Sequence, residues 1–227
     1  MNRFFIILIA FCFASMAVGL EETHSSGIDI FFKGNLSSYH GLGIAVVANH
    51  TSINSDGVNL VDLAREHLNL VAIFTPEHGL FGNKEAGEKV QDDTYAATPI
   101  YSLYGKNKKP SKDQLSGVDV IIFDMQDIGS RYYTYVSTMG YIMEAAADNQ
   151  IQLIVLDRVN PLGQDIQGPL LKTEFSSFVG MYPIPIRHGL TIGEFALLIN
   201  GMGWLNTKDK LNIKVIPITG WDGGFHS

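Results

Sequence analysis

A chain of 227 residues with 23 acidic against 16 basic side chains, a formal net charge of −7 and one cysteine can bury one substantial core. The acidic balance excludes the basic footprint of a nucleic-acid-binding protein, and a single cysteine excludes an intrachain disulfide. No run after the first twenty residues is long and apolar enough to span a bilayer.

The chain opens with Arg3, an apolar stretch from Phe4 to Phe13 and the small-residue pattern Ala17-Val18-Gly19, which reads as a cleaved signal peptide over residues 1–19. That predicts a secreted or periplasmic product with no stable membrane insertion after cleavage. Phe11 stands before Cys12 where a lipoprotein would carry a small residue, so lipidation is disfavoured.

Four apolar runs then end in polar, chemically useful clusters. Leu42 to Ala48 leads into Asn49-His50-Thr51, and Leu70 to Phe74 into Thr75-Pro76-Glu77-His78-Gly79. Val118 to Phe123 leads into Asp124-Met125-Gln126-Asp127, and Ile151 to Leu156 into Asp157-Arg158-Val159-Asn160. Runs of nearly continuous Val, Ile, Leu and Phe read as strands buried on both faces. Between them lie helical patterns at Val58–His67, with Asp56-Gly57 as turn and possible cap, and at Tyr135–Asn149. Thr191-Ile192-Gly193-Glu194 is a capping box opening a helix through Asn200, which Gly201 is expected to end. Ile213 to Ile218 predicts a further strand. This alternation specifies an α/β fold with a mainly parallel sheet between helices, and the carboxyl ends of such strands share one edge. The four clusters should therefore converge on one crevice. Gly82 to Thr98 reads as a polar loop, either covering a substrate or merely solvated. The aromatic tail Trp221 to Ser227 suggests the amino-terminal portion of something longer.

Glu77, on a strand-to-loop turn between Pro76 and Gly79, suits a general acid, although capping of the turn explains the same spacing. Asp124, Gln126 and Asp127 are followed at once by Arg131 and by Tyr132, Tyr133 and Tyr135. Arginine this close to two aspartates serves either a ligand or an internal ion pair, and the tyrosines either a sugar ring or the core. Asp157-Arg158 repeats the acid–base pairing, with Asn160 held extended before Pro161. His188 lies upstream of the capped helix. His50 and His188 carry no metal-ligand spacing, so no metal site is expected, and no cofactor motif is present. Gly41-Leu42-Gly43 precedes its strand rather than following it, which removes the dinucleotide reading, and no G-x-S-x-G elbow supports an esterase.

Taken together, these strings resemble the NamZ-like exo-β-N-acetylmuramidases, secreted proteins long grouped as a domain of unknown function. The resemblance rests on Asn49-His50-Thr51 and Thr75-Pro76-Glu77-His78-Gly79, with Thr75 where the family usually has Ser. It continues through Ala86-Gly87 and Val90, Pro99 to Gly105, the string Phe123 to Tyr135, Leu156 to Pro161 with Val159 in place of Pro, and Tyr182 to Gly189 with Thr191, Gly193 and Glu194. It implies a Rossmann-like three-layer catalytic domain over residues 20–227, with a smaller carboxyl-terminal domain of the family largely absent. It further implies release of terminal non-reducing N-acetylmuramic acid from peptidoglycan fragments in cell-wall recycling, without a cofactor. On that basis Glu77 is the general acid, with His78, Asp127 and one of Tyr133 or Tyr135 in the catalytic set. Asn49, His50, Asp124, Gln126, Arg131, Arg158, Asn160 and His188 then surround the substrate, with Arg131 or Arg158 meeting its lactyl carboxylate. A non-catalytic muropeptide- or wall-binding protein on the same fold is the alternative.

Overall fold

Uninterrupted apolar strands need cover on both faces, and the computed structural model, which describes residues 24–82, 93–105 and 107–224, supplies it. The elements in chain order are α1 (Gly27–Lys33), β1 (Gly43–Ala48), α2 (Leu60–His67), β2 (Asn69–Thr75), β3 (Asp93–Tyr95), β4 (Thr98–Ser102), β5 (Val120–Asp124), α3 (Tyr135–Asp148), β6 (Gln152–Leu156), α4 (Ile192–Met202) and β7 (Ile213–Ile216). The strands form a seven-stranded sheet in the order β3-β4-β2-β1-β5-β6-β7. All neighbours are parallel except the edge pair β3–β4.

Without the β3 edge, the parallel strands follow the 3-2-1-4-5-6 order of a doubly wound fold, and the order reverses between β1 and β5. Successive side chains alternate between two cores. Ile44, Val46, Ile122 and Leu156 pack with α1 and α2, whereas Ala45, Val47, Phe123 and Val155 pack with α3 and α4. This is the expected α/β three-layer arrangement.

Local expectations needed correction where one side chain outweighed the general pattern. Helix α2 starts at Leu60 rather than Val58, because Asn59 is its N-cap: Asn59 Oδ1 accepts from Val61 N–H at 3.0 Å. Asp56-Gly57 lies in the preceding turn, organised by Asn54. Helix α4 runs past Gly201, which stays helical. Gly203 ends it instead, adopting φ +64° and bonding to Asn200 and Ile199 carbonyls. Helix α1 was not foreseen; its Gly27 packs so closely on β6 that an added Cβ would lie 2.3 Å from Asp157 N. The polar stretch expected as a loop contains β3, paired with β4, and residues 83–92 of it lie outside the described residues. The signal-peptide segment 1–19 also lies outside them, as do Ala86, Gly87 and Val90.

Asp29 ties α1 to the loop after β1. Burial pushes its carboxyl up, but bonds from the Ser26 and Ser55 hydroxyls and Ser55 N–H, with the charge of Lys33, outweigh this and hold it below the ordinary range. A depressed folded value contributes stability that is present above the unfolded value of about 3.9 and lost as pH falls through the folded one. Asp29→Asn is therefore expected to lower stability by about 1–3 kcal/mol near neutral pH and to narrow the loss on acidification. Urea unfolding at about pH 7 and about pH 2 checks this; an unaltered acid loss would rule the carboxylate out.

Candidate active site

The strand order reverses between β1 and β5, where open α/β sheets carry their crevice, and hydrogen bonds join the loops at these carboxyl ends. Asn49, fully buried, donates from Nδ2 to the Tyr135 hydroxyl at 2.7 Å, while its Oδ1 accepts from the backbone and hydroxyl of Thr51. Thr51 Oγ1 in turn accepts Gln126 N–H at 3.0 Å, and Ser52 Oγ donates to Asp124 O. The loops after β1 and β5 are thus one unit.

Asp124 is fully buried and receives both Nε and Nη2 of Arg158, the latter at 2.7 Å, while Nη2 also donates to Ile53 O at 2.9 Å. Burial raises the Asp124 carboxyl above its ordinary range, and the guanidinium opposes that push. The fork therefore works as a clamp joining β1, β5 and β6. Asp157 does not pair with the adjacent Arg158 side chain. Its oxygens accept Gly193 N–H at 2.7 Å, the Thr191 hydroxyl at 2.8 Å and Arg158 N–H at 2.9 Å, so it holds the amino terminus of α4. Burial leaves this carboxyl raised despite those bonds.

Glu77 and His78 follow β2, the neighbour of β1, and both are half-buried. His78 takes φ +73°, a left-handed conformation costly for a side-chain-bearing residue, and Gly79 follows at +70°. Such strain persists only where surrounding structure imposes it, and it clusters at functional sites. Across the crevice the Tyr133 and Tyr135 rings lie 4.5 Å apart. Burial, then the Tyr133 hydroxyl, then the Glu77 charge push the Tyr135 phenol well above its ordinary range; Asn49 opposes them. Tyr135 thus lies within the electrostatic reach of Glu77, in surroundings that favour the neutral phenol.

The segment 128–131 pairs antiparallel with 186–188 through Arg131 N–H to Ile186 O at 2.8 Å and His188 N–H to Gly129 O at 3.2 Å. That places His188 Nε2 3.2 Å from Asp127 Oδ2, which also accepts Gly129 N–H at 2.7 Å. Leu190 N–H donates to His188 Nδ1, leaving the ring proton on Nε2 for Asp127. Asp127 Oδ1 is buried with no hydrogen-bond partner among the described residues.

Comparison with known proteins follows the same residues. A family model described as the N-terminal part of the exo-β-N-acetylmuramidase NamZ matches residues 44–226. The chain belongs to this family. It is 46% identical over 180 residues to the peptidoglycan β-N-acetylmuramidase NamZ of Bacillus subtilis (strain 168), a match covering 77% of this chain and 44% of that protein. Crystal structures of two DUF1343 family proteins from Bacteroides fragilis NCTC 9343 superpose with TM-scores of 0.80 and 0.78, at 38% and 35% identity. They cover 88% and 90% of this chain, and 51% and 54% of their own chains are covered. The chain therefore spans about half the length of the relatives it matches.

Within this NamZ-family chain the expected site residues separate into two groups. Glu77, His78, Tyr133, Gln126 and Arg158 are half-buried, and His50 is exposed, so all can meet a ligand. Asn49, Asp124, Asp127, Tyr135, Asn160 and His188 are buried beneath them. Gln126 spans the crevice floor, donating from Nε2 to the Asp127 and Val159 carbonyls. Asn160 ties its own loop to Leu190 O and Leu162 N–H. Arg131 is buried, with Nη1 donating to the Pro169 and Ile184 carbonyls rather than to the aspartates of the expected ion pair. Asn59 and Ser52 were missed: their bonds to Asn49 O and Asp124 O join residues without a local motif. Among the described residues no group of three or more His, Cys, Asp or Glu could hold a metal ion, and no helix is long and apolar enough to cross a membrane.

Proposed function

We propose that this chain carries the acid-bearing half of a glycoside hydrolase that releases terminal non-reducing N-acetylmuramic acid from peptidoglycan fragments, without a cofactor. One observation carries the reading: a half-buried carboxyl, Glu77, stands beside the strained His78 at the carboxyl end of β2, within the electrostatic reach of Tyr135, which Asn49 holds. Glu77 protonates the departing glycosidic oxygen, and Tyr133 lies over Tyr135 to contact the sugar at the anomeric side. Tyr135, buried, supports Tyr133 rather than touching the substrate. Arg158, half-buried and held by Asp124, is the cationic group that meets the lactyl carboxylate. The substrate's own acetamido group serves as nucleophile, a scheme that needs no second carboxylate. The leader-like residues 1–19 support action outside the cytoplasmic membrane, in cell-wall turnover.

The test is incubation of the chain with a chromogenic β-N-acetylmuraminide and with the natural muramyl disaccharide. Release of N-acetylmuramic acid supports the assignment. Saturable binding of the disaccharide without release makes the chain a wall-binding module, and neither binding nor release overturns both.

A further inference from the structure

The turn that carries Glu77 folds back to build a second concavity which the proposed chemistry does not use. Leu80 is buried, but Phe81 leaves 61% of its surface exposed. Gly82, at φ +65°, lies so close to His50 that an added Cβ would stand 2.4 Å from its Nδ1, so the loop closes onto the imidazole only with glycine there. Phe81 meets the Tyr95 ring edge-on at 6.0 Å. Tyr95 is braced in turn: its hydroxyl donates to Asp62 Oδ1 at 3.1 Å, and the Arg65 guanidinium lies 5.4 Å from its ring centre. An exposed aromatic on so firm a support resembles a platform more than a loose loop residue.

Together with Val61, the side chains of His50, Asp62, Leu80, Phe81 and Tyr95 line a half-open concavity of about 140 Å³. A cavity of roughly 150 Å³ accepts benzene, so a concavity of this size accommodates a group of a few heavy atoms. Its lining has two chemistries. Val61, Leu80, Phe81 and Tyr95 form apolar walls, while His50 and Asp62 stand at the rim. Asn59 also lines it, but its amide is engaged at both ends, by Val61 N–H and by Asn49 O. A methyl group against aromatic walls, with an amide oxygen and N–H reaching a histidine and a carboxylate, describes an acetamido group.

The place of Phe81 in the chain bears on which sugar carries that group. A general acid must stand on the side of the leaving oxygen, and Phe81 lies four residues after Glu77 on the same turn. We propose that this cavity is the subsite for the acetamido group of the departing sugar, an N-acetylhexosamine, and that Phe81 is the residue that recognises it. The assignment of the sugar as leaving group rests on the hydrolase reading above; the acetamido chemistry does not.

Saturation-transfer NMR on the full chain with free N-acetylglucosamine, and with glucosamine as the probe lacking the acetyl, tests the cavity without requiring turnover. The acetyl methyl is expected to receive the largest saturation, glucosamine to show little, and Phe81→Ala to abolish the acetyl signal. Because Phe81 is mostly exposed, its removal leaves the core untouched. Equal acetyl saturation in the variant, or no preference for N-acetylglucosamine over glucosamine, overturns the proposal. In hydrolysis, the preference for a muramyl disaccharide over its leaving-sugar-deacetylated counterpart is expected to fall by about ten-fold in Phe81→Ala; an unchanged preference also overturns it. A chain that hydrolyses neither disaccharide yet binds N-acetylglucosamine through its methyl keeps this subsite and overturns only the hydrolase reading.

Discussion

Replacing Glu77 by Gln is expected to lower turnover of a muramyl disaccharide by about 10² to 10⁴ while leaving binding nearly intact. Glutamine keeps the shape and the hydrogen-bonding reach of the side chain but has no proton to give the leaving oxygen. A sugar alkoxide is a poor leaving group and needs that proton. Nitrophenolate leaves with little help, so the same variant is expected to be far less impaired on the nitrophenyl glycoside. Steady-state kinetics on both substrates read this difference directly. Equal damage on both would make Glu77 a nucleophile or a structural residue. Unchanged turnover on both would return it to capping its turn and move the search to Asp127, a buried carboxyl with one oxygen that has no hydrogen-bond partner among the described residues.

The largest effect on stability is expected at Arg158. Its guanidinium supplies two donors to Asp124, whose side chain is wholly buried, and a third bond to Ile53 O. Arg158→Met leaves a carboxylate enclosed without a counter-charge, a change that costs about 3–5 kcal/mol. For a domain of this size that lowers Tm by roughly ten degrees. Adding Asp124→Asn removes the stranded charge, so the double variant is expected to recover part of the loss. Denaturant unfolding of the two single variants and the double variant measures the coupling. Additive losses would mean that the pair is incidental and that Arg158 serves only its bond to Ile53.

Some of this site was legible in the order of the residues. A strand covered on both faces must be apolar at every position, so β1, β2, β5 and β6 stood out, and the polar residues that ended each run marked the sheet edge. The start of α4 was equally plain, because Thr191 and Glu194 satisfy each other's backbone donors within one turn. Short or polar elements gave no such signal. Strand β3 has three residues, none fully buried, and exists through its pairing with β4. The end of α4 offered two glycines, and the choice between them depended on which one reached positive φ.

By itself, then, the sequence determined β1, β2, β5 and β6, their common edge and the residue types delivered to it, since burial and capping act over a few neighbouring positions. Partner choice was decided only by the tertiary structure. Arg158 has Asp157 beside it in the chain but binds Asp124, 34 residues away on the adjoining strand. Asp127 meets His188 across 61 residues, and Asn49 meets Tyr135 across 86. Parallel strands bring their carboxyl ends side by side whatever the length of chain between them, which joins Arg158 to Asp124, while the antiparallel pairing of 128–131 with 186–188 brings His188 to Asp127. Side chains that look paired along the chain are separated by that same geometry: Asp157 turns to α4 while Arg158 turns to β5.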